Sequence, residues 1–114
     1  MEQQIPSIPE VEEIHTVPKH LEYITDPAAQ ARVKTFLEEV KGWKSGHETV
    51  DPIKYAISLK VDNKVFAYVE ARRKHFIVST FNAEEKWTAY PVHSEEDMEQ
   101  VRQLAKASME RKAR

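Results

Sequence analysis

The stretch from Lys54 to Val78 constrains the fold more than any other part of the chain. Apolar and polar residues alternate through it, and two short polar breaks interrupt it. Alternation is the period of a strand rather than a helix, so the pattern predicts a three-stranded antiparallel meander. The first strand spans about residues 54–61, with Tyr55, Ile57, Leu59 and Val61 on one face and Lys54, Ala56, Ser58 and Lys60 on the other. Asp62-Asn63 makes the turn, since both residues tolerate positive φ. In the second strand, about 64–70, Val65, Ala67 and Val69 alternate with Phe66 and Tyr68, which predicts a central strand that is apolar on both faces. A two-residue loop sets Leu59 opposite Phe66, and a three-residue loop sets it opposite Ala67. The choice reverses which face of the second strand meets the helices.

A third strand over about 75–81, a polar hairpin loop from Asn82 to Lys86 and a fourth strand from Trp87 to Val92 complete the expected sheet, with Pro91 marking an end or an edge. Before the sheet, Ala29, Val33, Phe36, Leu37 and Val40 recur at helical steps. Thr25 or Asp26 serves as N-cap, with Pro27 in the first helical position. This helix is expected over about 27–41, with Gly42 as a left-handed C-terminal residue and Trp43 packed back on Leu37. Lys44 to Pro52, which includes His47 and Glu48, reads as a polar loop. After the sheet, Ser94-Glu-Glu-Asp97 has the form of a capping box. It opens a helix whose stripe is Met98, Val101, Leu104, Ala105, Ser108 and Met109. The fold class is therefore α+β: a two-layer sandwich of helix, four-stranded antiparallel meander and helix, with both helices on one face.

Residues 1–25 carry Pro6, Pro9 and Pro18, five glutamates and a single lysine. They are expected to be a flexible acidic segment, in which Ile14–Val17 and Leu21–Ile24 are each a short strand or extended chain laid on the domain. Residues 26–112 then form a single α+β domain, within the size range of one unit with a real core. No apolar run approaches the ~20 residues that cross a bilayer, so no membrane association is expected. The acidic N-terminus has no apolar signal region, and the absence of cysteine removes disulfides, thiolate metal sites and cysteine nucleophiles. The cytoplasm is the expected compartment.

Charge is unevenly distributed. Residues 1–53 hold five Lys/Arg against ten Asp/Glu, and residues 54–114 hold twelve against nine. Within the meander, Lys54, Lys60, Lys64, Arg72, Arg73 and Lys74 face only Asp62 and Glu70. Lysines on a sheet often do no more than solvate it and block edge association. They also make a surface for an anionic partner. The sharpest cluster is the turn Arg72-Arg73-Lys74-His75, a hairpin tip able to reach phosphates. Phe66 and Tyr68 on the neighbouring strand are placed to stack on bases if their face is open.

Other chemistry is thin. The five histidines, His15, His20, His47, His75 and His93, show no metal-ligand spacing. Only Gly42 and Gly46 are present, which excludes a glycine-rich phosphate loop. Glu38-Glu39, Glu84-Glu85 and Glu95-Glu96 are explained as solvated faces or a hairpin tip. Neither a catalytic constellation nor a cofactor is expected.

The runs Lys54–Val61, Val65–Val78 and Val92–Glu99 resemble a bacterial family of domains of unknown function. That family is found at the C-terminus of predicted nucleases and of predicted transport proteins. Its pattern is a strand ending in a valine-glutamate-proline step, a basic turn, an apolar strand and a serine-glutamate-glutamate-aspartate helix start. The resemblance covers about residues 27–110 and implies a YjbR-like fold, similar to a frataxin-type sandwich and suspected of DNA binding. This chain has Ala71 where the family tends to have proline, and a shorter segment between the third and fourth strands. The functional expectation is a small non-enzymatic binding module that contacts nucleic acid or another anionic partner through the basic hairpin. The alternative is a protein-interaction or self-assembly domain that uses the open sheet face.

Overall fold

The structure, a computed structural model, describes residues 16–43 and 47–113. The acidic segment over 1–15 lies outside them. The chain forms a short helix α1 (Val17–Tyr23) and a longer helix α2 (Pro27–Lys41). Five strands follow: β1 (Glu48–Pro52), β2 (Ile57–Val61), β3 (Lys64–Ala71), β4 (Phe76–Phe81) and β5 (Trp87–Val92). Helix α3 (Glu95–Ala113) closes the described chain. The strands pair in sequence order, every neighbour antiparallel.

The α+β class and the antiparallel meander agree with the sequence expectation, but the sheet has five strands, not four. The extra strand is β1, in the segment read as a polar loop. Its sequence Glu-Thr-Val-Asp-Pro gives the core one apolar residue, Val50, so alternation could not reveal it. Pairing holds it instead, from Glu48 opposite Val61 to Pro52 opposite Ile57. Side chains add to the ladder: Ser58 Oγ donates to the Asp51 carbonyl at 2.8 Å, and Asp62 Oδ1 accepts the His47 amide at 2.9 Å.

A second correction concerns Val17–Tyr23, which is helical where short strands or extended chain were expected. Thr16 caps it, its hydroxyl accepting the Lys19 amide at 3.2 Å, and Pro18 sits in the first turn. Val17, Leu21 and Ile24 fall at helical spacing; Leu21 and Ile24 are buried, and Val17 packs on the same core. The packed body therefore includes chain N-terminal to residue 26.

Helix α2 begins at the Asp26 cap, whose Oδ2 accepts the Ala29 amide at 2.9 Å, and it buries all five residues of its predicted stripe. Its exit differs from expectation. Gly42 is right-handed, with φ −97° and ψ 0°. The Gly42 and Trp43 amides bond three residues back, to the Glu39 and Val40 carbonyls. This tightened last turn aims Trp43 at Phe36, edge to face at 6.0 Å, and at Phe66 at 6.5 Å, rather than at Leu37. At the other helix start, Ser94 Oγ accepts the Asp97 amide, while Asp97 reaches back to the His93 amide. Helix α3 buries Met98, Val101, Ala105, Ser108 and Met109; Leu104, also in the predicted stripe, is half-buried.

The β2–β3 register resolves both alternatives at once. Asp62 and Asn63 have φ of 50° and 69°, which makes a two-residue turn that sets Val61 opposite Lys64. A bulge then follows, and Leu59 faces Ala67. Phe66 is the residue without an opposite number on β2. In a bulge two consecutive side chains lean to one side, and both Phe66 and Ala67 are fully buried. The core face therefore carries Ile57, Leu59, Val61, Phe66, Ala67, Val69, Phe76, Val78 and Val92. The opposite face presents Tyr68, Ile77, Phe81, Trp87, Ala89 and Pro91, none of them buried.

Candidate anion-binding end of the sheet

The β3–β4 hairpin tip projects Arg72, Arg73 and Lys74 into solvent, closed by an Arg72 amide bond to the His75 carbonyl at 2.9 Å. The end of α1 braces it. The Thr25 amide and hydroxyl both donate to the Arg73 carbonyl, at 2.6 and 2.9 Å, and the Arg73 guanidinium lies over the Tyr23 ring at 4.6 Å. The β1–β2 connection comes to the same end. His20 Nε2 lies 2.7 Å from the Ile53 carbonyl, so this nitrogen carries the proton and ties α1 to the connection.

Between these three segments lies a groove of about 380 Å³. Lys19, His20 and Tyr23 line it from α1, Lys54 and Tyr55 from the β1–β2 connection, and Glu70, Ala71 and Arg72 from the hairpin. Glu70 holds Arg72 at 3.2 Å. Tyr55 is 75% exposed and Tyr23 49% exposed. A cation rests against each ring: Lys54 at 5.4 Å from Tyr55, and Arg73 on Tyr23.

The residues singled out from sequence divide accordingly. Lys54, Arg72, Arg73, Lys74 and His75 come together at this end of the sheet. Lys60 stands on β2 and pairs with Asp51 at 3.0 Å. Lys64 follows the β2–β3 turn at the far end, roughly 26 Å of extended strand from Arg72. Phe66 is corrected outright: it is fully buried by the bulge and offers no face for stacking. Tyr68 does lie on the uncovered face, where Trp87 meets it at 5.2 Å and also meets Phe81 at 5.6 Å. Lys112 Nζ sits 3.9 Å from the centre of the Phe81 ring.

Sequence reasoning missed Lys19, His20, Tyr23 and Tyr55 at the groove, and His93. The helical spacing of Val17, Leu21 and Ile24 could have placed the first three on one short helix. No local pattern connects His93 to His75, yet their rings stack at 4.2 Å with planes 28° apart. Partial burial holds His75 below the usual histidine range, and the nearby His93 and Arg72 push it the same way.

Among the described residues no group of three or more His, Cys, Asp or Glu is arranged to hold a metal ion, and no helix is long and apolar enough to cross a membrane. No family model, characterised protein or solved structure matches this chain.

Proposed function

We propose that the protein is a binding module that engages nucleic acid through the basic end of its sheet. One observation carries the reading: Lys19, Lys54 and Arg72 converge on a single groove, with Arg73 and Lys74 at its rim, and Glu70 is the one carboxylate among its lining residues. Long cationic side chains on a braced hairpin suit a row of phosphates, which attract them at long range and release counterions on contact. The YjbR-like resemblance stands with this reading, since an antiparallel sheet backed by helices is the expected frame and DNA binding is suspected there.

The test is titration of a labelled oligonucleotide at increasing salt. Each phosphate contact should add roughly 0.7–0.9 to the slope of log affinity against log salt. The triple change Arg72→Glu, Arg73→Glu, Lys74→Glu should abolish binding while leaving the melting temperature close to the parent, because all three side chains are exposed. No detectable binding at low salt would reject the proposal.

A second reading is favoured by a separate observation. Trp87 is 43% exposed beside Tyr68 and Phe81 on the uncovered sheet face. Exposed aromatic clusters are typical anchors of protein contacts. On this reading a partner protein or a second copy covers the face. Sedimentation that shows association at rising concentration, lost in Trp87→Ser, would support it; a strict monomer would exclude self-assembly.

A further inference from the structure

We infer that the groove between α1, the β1–β2 connection and the β3–β4 tip holds one unpaired nucleotide, so that the strand engaged is single. The inference rests on the nucleic-acid reading above and narrows it. Phosphate binding alone requires only the cations. It gives no reason for Tyr55 and Tyr23 to stand exposed at the groove, each with a cation against its ring. Aromatic rings beside fixed positive charge suit a ligand that carries a flat ring and an anion on one small frame. A nucleotide is such a ligand: its base stacks on tyrosine, and its phosphate lies among Lys19, Lys54 and Arg72. The volume of about 380 Å³ falls within the range of small-ligand sites.

The same chemistry argues against a duplex, whose base faces are already stacked on one another and are closed to a protein ring. It argues for a strand over a free mononucleotide as well. Arg73 and Lys74 stand exposed beyond the groove, at the hairpin tip, where the flanking phosphates of a longer chain would pass. The Glu70–Arg72 pair at 3.2 Å and the His20 bond to the Ile53 carbonyl hold two of the groove walls before any ligand arrives, so little ordering is needed on binding.

The experiment uses the full chain and fluorescence anisotropy at low salt. Its probes are a labelled oligothymidine, a blunt duplex of equal length, and a thymidine 5′-phosphate competitor. The single strand should bind about tenfold more tightly than the duplex, and the monophosphate should compete only weakly. Tyr55→Ala should weaken the single strand by roughly 5- to 100-fold, the range for losing one stacked base, and leave duplex affinity nearly unchanged. Tyr55→Phe should restore the preference. Trp87→Ala should not alter it. Equal affinity for the two polymers, an unaffected Tyr55→Ala, or a preference lost in Trp87→Ala would each overturn the inference. In those three cases the nucleic-acid reading itself survives, provided the Arg72, Arg73, Lys74 triple variant still fails to bind. Binding of neither polymer would overturn both.

Discussion

Ser108 does at the scale of one residue what the β-ladder cannot do beside the bulge. The β3–β4 pairing stops at Ala67 opposite Thr80, and the next ladder bond would join Phe66 and Phe81. The fully buried Ser108 hydroxyl stands there instead, accepting the Phe81 amide at 2.9 Å and donating to the Phe66 carbonyl at 2.6 Å. Buried backbone groups left without partners are costly, so Ser108→Ala should destabilise by about 1–3 kcal/mol, read as a lower urea midpoint with an unchanged slope. Arg111 continues the stitching from the same helix, donating to the Phe81 carbonyl at 3.0 Å. In the sequence Ser108 reads only as a small member of the helix stripe. Its partners lie 27 and 42 residues away, and nothing local names them.

At the scale of elements, the β2–β3 hairpin is where local chemistry speaks most clearly. Asp62 and Asn63 are both left-handed, which suits a two-residue turn with the twist of its flanking strands. Asp62 also ties down the start of β1, exchanging bonds with His47 through its amide and its carboxylate. Asn63→Gly should stabilise the hairpin by roughly 0.5 kcal/mol, because glycine takes positive φ without strain. Asp62→Ala should cost about 1–2 kcal/mol, because it removes the carboxylate bond and leaves a Cβ residue in the left-handed region. Urea denaturation of the two variants checks both signs. The turn was legible because two adjacent residues define it. The bulge that follows was not, because both registers satisfy the same alternation. What selects between them is the burial of the Phe66 ring beside Trp43, a contact made across 23 intervening positions of the chain.

At the scale of the whole molecule, the core draws on more of the chain than its clearest elements. Leu21 and Ile24 join the cluster formed by α2, α3 and the sheet. Burial of each such side chain is worth about 1.5–3 kcal/mol against a total stability of only ~5–15 kcal/mol. A chain that starts at residue 26 should therefore melt far below one that starts at residue 16, and calorimetry on the two chains decides it. Loss of α1 also removes the Thr25 and Tyr23 braces from the basic tip, so binding and stability should fall together in the shorter chain. The sequence by itself determined the elements whose signals are local. Those were the α2 and α3 stripes with their Asp26 and Ser94 caps, the alternation of β2 to β5, and the basic turn Arg72–His75. Each depends on periodicity or on neighbours a few positions apart, which a chain records directly. Only the tertiary structure decided that β1 is a strand, that Phe66 turns inward, and that Lys60 and Lys64 stand apart from the tip. It alone brought Lys19, Tyr23 and Tyr55 to the groove. These outcomes follow from pairing partners and core volume between distant segments, and no single stretch of sequence encodes either.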